Sequence, residues 1–183
     1  MGIDDSAFSF DEDEVVVVGA VVRMPNYLEG VLKTTADVDG SNATERLVEM
    51  IGGSRYAENL AAVMIDGIAV GGFNVIDIEA LHEELGIPVA TVTRDEPDLA
   101  SMLTALKAKF TDWNKRYNLI VSTKLNRVET KHKPVYVQVV GEDLENIKDL
   151  IAKSTVLGAL PEPIRIAHLI ATAIKKGESH GRA

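Results

Sequence analysis

Residues 63–78 read VMIDGIAVGGFNVIDI, and the fold turns on how this stretch is parsed. An apolar run, predicted as a strand over Ala61 to Ile65, stops at an acid, Asp66. A glycine-bearing loop, Gly67 to Phe73, comes next, and then a helix predicted over Asn74 to Leu85. Strand, loop and helix in that order open a crossover unit. A strand that reads as fully buried needs a reason to finish on a carboxylate, because a buried charge is costly unless it is paired.

Upstream, EVVVVGAVVR holds a buried strand, Val15 to Arg23, and Tyr27 to Val38 reads as its antiparallel partner across the Pro25-Asn26 turn. Asp39-Gly40 turns the chain into a helix, with Asn42 as its cap and Glu45 three residues later, a spacing that resembles a capping box. Downstream, GIPVATVT is another buried strand. Pro97 then opens a helix whose apolar stripe, Leu99 to Tyr117, steps by three and four. Residues 119–140 read as two or three strands with a basic turn around Lys131 to Pro134. Helices over 142–154 and 163–176 close a single domain, 1–176, and a polar tail follows over 177–183. Antiparallel strands first and right-handed strand-helix-strand units afterwards give a mixed sheet with helices on both faces. If the first strand ends at Gly2-Ile3-Asp4, the order is β-β-β-α-β-α-β, an α/β, RNase H-like three-layer architecture.

The 183 residues are 46% hydrophobic and 5% aromatic, so Val, Ile, Leu and Ala must fill the core. With no cysteine there is neither a disulfide framework nor a thiolate metal site. No segment approaches the roughly 18 apolar residues of a membrane span, and no signal peptide precedes the first acids, so the expectation is a soluble, cytoplasmic protein. The net charge of -9 argues against nucleic acid, but it is unevenly spread. Between Ala105 and Val135 eight Lys and Arg face two acids, a local +6 that leaves -15 on the remainder. An acidic body with one basic segment is compatible with a local DNA or RNA contact. The plainer reading, and the one favoured, is a solvated, positively charged hairpin and helix.

On neighbouring strands about 4.8 Å apart, Asp4 and Asp66 would point into one space above the strands' carboxyl ends, where open α/β sheets bind ligands. Two such carboxylates repel unless one keeps its proton or a cation sits between them. Mg²⁺ or Mn²⁺, hard cations that prefer oxygen ligands, suit this donor set. A third ligand is expected near the first helix, with Asp39 as the first candidate and Glu45 as the second; Asp5 and Asp77 are weaker. Each of these acids also has a plain reading as a turn or capping residue. Gly71 and Gly72, ahead of a helix start, are candidates for cradling a phosphate, although the loop lacks the spacing and lysine of a P-loop. Arg165, in the first turn of the last helix, needs a partner, either Glu162 or a ligand phosphate. His168 lies amid Ile, Ala and Leu, as a core histidine or as a residue that orients or protonates something in the cleft.

Taken together, GIDD, DVDGSNATE, MIDGIAVGGFNVIDI and PEPIRIAHLIA…KGES resemble the mainly archaeal family known as domain of unknown function ninety-nine, over nearly the whole chain. That family is grouped with endonuclease V in the RNase H-like fold. The resemblance implies metal-binding acids on the first strand, near the start of the first helix, and in an Asp-Gly at the end of the fourth strand. Asp4 and Asp66 match the first and third. Asp39 is the match for the second, a Glu in endonuclease V. The endonuclease's strand-wedging motif has no counterpart around Pro25 to Glu29. The expectation is a divalent-metal-dependent phosphodiesterase acting on nucleic acid, with Asp4, Asp39 and Asp66 holding the metal. The basic segment would grip the backbone, with Trp113 and Tyr117 available to stack on bases. The alternatives are a non-catalytic nucleic-acid or nucleotide-binding module and a small-molecule phosphate enzyme.

Overall fold

The computed structural model describes residues 1–179. Strand β2 (Glu14–Arg23) is apolar on both faces and pairs antiparallel with β3 (Tyr27–Asp37) on one side and β1 (Gly2–Asp5) on the other. β1 runs parallel to β4 (Val63–Asp66), and β4 runs parallel to β7 (Val89–Thr93). Two antiparallel strands, β9 (Val135–Val140) and β8 (Asn126–Val128), extend the sheet to the order β3-β2-β1-β4-β7-β9-β8. The strand bearing Asp66 thus lies parallel to and beside the strand bearing Asp4, as the element order requires.

Alternation along the strands sorts the side chains between two helical layers. Ile3, Val17 and Ile65 face α1 (Ala43–Gly52) and α2 (Ile78–Leu85), where they meet Leu47, Ile51 and Leu81. Met64, Ala90 and Val92 face α5 (Leu144–Ser154) and α6 (Glu162–Lys176), meeting Ile147, Ile151 and Ile164. Farther along α6, Ala167 and Ala171 lie on Val18 and Ala20 of β2. Complete burial of a residue such as Ile151 or Ile164 contributes about 1.5–3 kcal/mol. That burial holds the helices at a fixed height on the sheet.

Four elements depart from the sequence reading. The helix expected from Asn74 begins only at Ile78, because Ala69–Val70 (β5) and Asn74–Val75 (β6) form a small hairpin instead. Asp77 is the cap of α2, accepting from the Ala80 N–H at 3.0 Å. The capping box at Asn42 and Glu45 is absent, since the Asn42 side chain accepts from the Asp37 N–H instead. The Ala43 amide is satisfied from 31 residues away, by Oδ1 of the fully buried Asn74.

The long helix after Pro97 is two helices, α3 (Leu99–Lys109) and α4 (Trp113–Ser122), broken where Phe110 is extended at φ -125°. Its apolar stripe survives the break. Met102, Leu106, Phe110, Trp113 and Tyr117 gather with Val75 and Ile120 in one cluster, which makes Trp113 and Tyr117 packing residues. Because α4 reaches Ser122, only two strands fit in residues 119–140. No described helix is long and apolar enough to cross a membrane. Of the polar tail, residues 180–183 lie outside the described region.

Candidate functional site

A close approach places the last helix over the first strand. A Cβ on Gly2 would stand 2.1 Å from the Pro163 carbonyl carbon, so only glycine lets α6 settle on β1 here. From Pro163 to His168 the helix rises about 7.5 Å, and from Gly2 to Asp4 the strand rises about 6.6 Å. His168 therefore arrives over Asp4, which faces the same layer as Gly2. Its Nδ1 lies 2.8 Å from Asp4 Oδ2. The other Asp4 oxygen accepts from the Asp5 N–H at 2.8 Å.

Asp66 stands at the end of β4, one step beyond the Ile3–Ile65 pair, and so beside Asp4. Both acids alternate with Ile3 and Ile65 of the α1/α2 face, so they sit on the α5/α6 face, above one rim of the sheet. Asp4 is 6% exposed. Burial, then the neighbouring charges of Asp66 and Asp5, push its carboxyl up to about 8, with Arg94 opposing. Burial also raises Asp66, while Arg94 and His168 act against the shift. Burial lowers the His168 imidazole, with Asp66 opposing. Both shifts favour the neutral forms of Asp4 and His168, which meet through Asp4 Oδ2 and His168 Nδ1.

The other candidates lie elsewhere. Asp39, at φ 55°, accepts from the Phe73 N–H at 2.9 Å through Oδ1 and pairs with Lys109 at 3.1 Å through Oδ2. Glu45 is exposed on α1, lining a groove with Glu49, Asp77 and Lys115. Asp5 faces away from Asp4, and its Oδ2 accepts from the Gly71 N–H at 2.6 Å. That amide is thereby committed to Asp5. Gly72 cannot carry a side chain, because a Cβ there would lie 2.4 Å from Asp39 Oδ1. Arg165 pairs with Glu162, the first of the two partners considered for it.

Within the basic segment, Arg116 is buried and internally bonded, and Lys109 is paired with Asp39. Lys131 and Lys133 are exposed. Arg94, one residue beyond β7, escaped the sequence reading because a lone arginine after a strand looks like any solvated charge. Its field on Asp4 and Asp66 is what marks it.

Among the described residues, no group of three or more His, Asp or Glu side chains is arranged to hold a metal ion. The Asp4–Asp66 pair still fits a hard cation, since Mg²⁺ is commonly held by one or two carboxylates and keeps several waters. An ion between them would let both buried carboxyls ionise without repelling one another. On the far face of the sheet, a cavity of about 540 Å³ starts at Gly67 and runs under α3 and α4. Thr91, Thr93 and Gln138 line it, as does Thr123, whose buried Oγ1 has no partner.

The profile of the endonuclease dU family matches residues 1–175. A UPF0215 protein of Methanothermobacter thermautotrophicus is 43% identical over 185 residues, covering 100% of this chain and 90% of the relative. One from Archaeoglobus fulgidus is 36% identical over 184 residues, covering 100% and 97%. The crystal structure of a protein of unknown function from Archaeoglobus fulgidus matches at a TM-score of 0.86 and 35% identity, over 98% of this chain and 97% of that one. Endonuclease V of Ciona intestinalis, solved with a 24mer DNA containing an inosine followed by a ribo-adenosine, matches at 0.56 and 14% identity over 91% and 80%. Endonuclease V of Bacillus subtilis matches at 0.57 and 12% over 96% and 80%. At these identities the two endonucleases share the fold with this chain, and that fold is RNase H-like.

Proposed function

This chain belongs to the endonuclease dU family, and on that premise we propose that it is a divalent-metal-dependent nuclease built on Asp4 and Asp66. One observation carries the reading. Two carboxyl groups from strands far apart in sequence meet in a buried position, where burial and the charge of Asp66 push Asp4 up to about 8. Asp4 and Asp66 would hold Mg²⁺ or Mn²⁺. The bound ion supplies an activated water and stabilisation of the leaving oxygen.

The chain's own groups do the rest. His168, through Nδ1, keeps Asp4 oriented. Arg94 offers positive charge to a phosphate brought to the acids. Lys131 and Lys133, both exposed, can reach a nucleic-acid backbone. The cavity at Gly67 falls within the range of small-ligand sites and is mainly apolar, which suits a nucleobase. The family's description makes deoxyuridine-containing DNA the first substrate to try.

The second reading is a nucleic-acid-binding module without catalysis. The lack of a three-ligand group among the described residues favours it. One experiment separates the two. Mn²⁺ is titrated into wild type and Asp66→Ala, while cleavage of DNA containing deoxyuridine or deoxyinosine, of undamaged DNA and of RNA is followed in parallel. Metal-dependent cleavage by wild type alone supports the nuclease. Nucleic-acid binding without any cleavage supports the module.

A further inference from the structure

The loop that leaves Asp66 is fastened by groups that do not belong to the acidic centre. Asp5 Oδ2 accepts from the Gly71 N–H at 2.6 Å, and Asp39 Oδ1 accepts from the Phe73 N–H at 2.9 Å. The Asp39 N–H donates back to the Gly71 oxygen at 2.7 Å. The buried Arg116 guanidinium ties both sides together through Nη1, donating to the oxygens of Asp39, Gly40 and Phe73 at 3.1, 2.6 and 2.6 Å. Residues 67–73 are thus held to the turn after β3 and to β1. Both Asp39 oxygens are engaged, one by an amide and one by Lys109.

We propose that Asp39 is a positioning residue of this protein, a clamp on the loop after Asp66, and not a metal ligand. The proposal rests on the nuclease reading given above. Its carboxylate fixes Phe73, and with it the run back through Gly67, which both follows Asp66 and begins the cavity wall. Small displacements of that run move a reacting group relative to the acids, and an ångström of misplacement costs about a hundredfold in rate. Lys109 already occupies the place a cation would take on Oδ2. The αL backbone of Asp39, which Asp and Asn adopt more readily than most residues, aims the carboxylate at the loop.

The test compares Asp39→Asn, Asp39→Ala and Asp66→Ala. Mn²⁺ binding is followed by electron paramagnetic resonance, Phe73 amide exchange by NMR, and kcat and KM by oligonucleotide cleavage. Asn keeps an oxygen for the Phe73 N–H and loses the charge and with it the ion pair to Lys109. A clamp predicts that Asp39→Asn retains wild-type Mn²⁺ affinity, Phe73 protection and most of kcat. It predicts that Asp39→Ala retains Mn²⁺ affinity, loses Phe73 protection, and loses about tenfold or more in kcat with little change in KM. If Asp39→Asn loses Mn²⁺ as fully as Asp66→Ala does, the residue is a ligand and the proposal is overturned. If Asp39→Ala matches wild type throughout, the clamp has no role and the proposal is equally overturned. Should Asp39→Ala not fold, the isosteric Asn variant decides alone. Undiminished Mn²⁺ binding by Asp66→Ala would instead refute the nuclease reading, independently of Asp39.

Discussion

His168 Nδ1 and Asp4 Oδ2 are joined at 2.8 Å, across 164 residues of chain. The contact ties the last helix to the first strand. Because burial and Asp66 hold Asp4 near 8, its proton is still present at neutral pH.

The contribution of Asp4 to the stability of the metal-free protein should fall as pH rises. An unfolded Asp4 ionises near its ordinary 3.8, whereas the folded one holds its proton to about 8. A raised folded value is stabilising below the unfolded one and is lost progressively up to the folded one. The buried Met1 amine, lowered to about 5, acts in the opposite direction, so thermal melts in EDTA should show the decline as the difference between wild type and Asp4→Asn between about pH 4 and 8. Asp4→Asn, which cannot ionise there, should show a smaller decline and melt above wild type at pH 8. A difference between wild type and Asp4→Asn that does not change over this window would contradict the assignment.

Metal binding should release protons. A cation between Asp4 and Asp66 needs both as carboxylates, so Asp4 must give up its proton. Calorimetric Mn²⁺ titrations at pH 7, in buffers of different ionisation enthalpy, should report about one proton released per ion. Affinity should climb from pH 6 to 8 and level off above. Binding with no buffer dependence would mean that Asp4 was already ionised.

Substitution of His168 should separate two roles. His168→Ala leaves Asp4 without its partner, and cleavage at pH 7 should fall by about 10²-fold or more. His168→Gln keeps a polar group facing Asp4 and should restore Mn²⁺ affinity towards wild type without restoring the rate. Equal rates in all three proteins would reduce His168 to a packing residue.

Arg116 should behave as a structural group, despite its place in the basic segment. It is 8% exposed, its Nη1 serves three carbonyls, and its Nε pairs with Asp112. Arg116→Met should cost about 3 kcal/mol, because the carbonyls are left without a donor. The melting temperature should drop by roughly 6–12 °C. Lys131→Ala, at an exposed site, should leave the melt unchanged within about 0.5 kcal/mol while weakening binding to oligonucleotides at low salt.

The fold was legible where apolar runs met punctuation. The valines of β2, the stop at Asp66 and the order of elements were enough to set β1 beside β4. That in turn brought two acids, 62 positions apart, to one rim. What could not be read were partners distant along the chain. Asn74 caps a helix 31 residues earlier, and nothing local marks it. The break at Phe110 was hidden because the stripe keeps its period on both sides while packing into one cluster. Asp39 and Gly71 carry the right residue types for a metal and a phosphate. Their hydrogen bonds to the loop and to Asp5 exist only in the folded arrangement. The contact of His168 with Asp4 depends on Gly2 admitting α6, a steric fact that a helical pattern does not display.

The most direct test is anomalous diffraction from crystals soaked in MnCl₂ at pH 8, where Asp4 can ionise. The account requires one strong manganese peak about 2.0–2.2 Å from an oxygen of Asp4 and an oxygen of Asp66, with Asp39 still bonded to Phe73. A protein saturated with Mn²⁺ that shows no peak between these two carboxylates, or shows its manganese bound elsewhere, would contradict it.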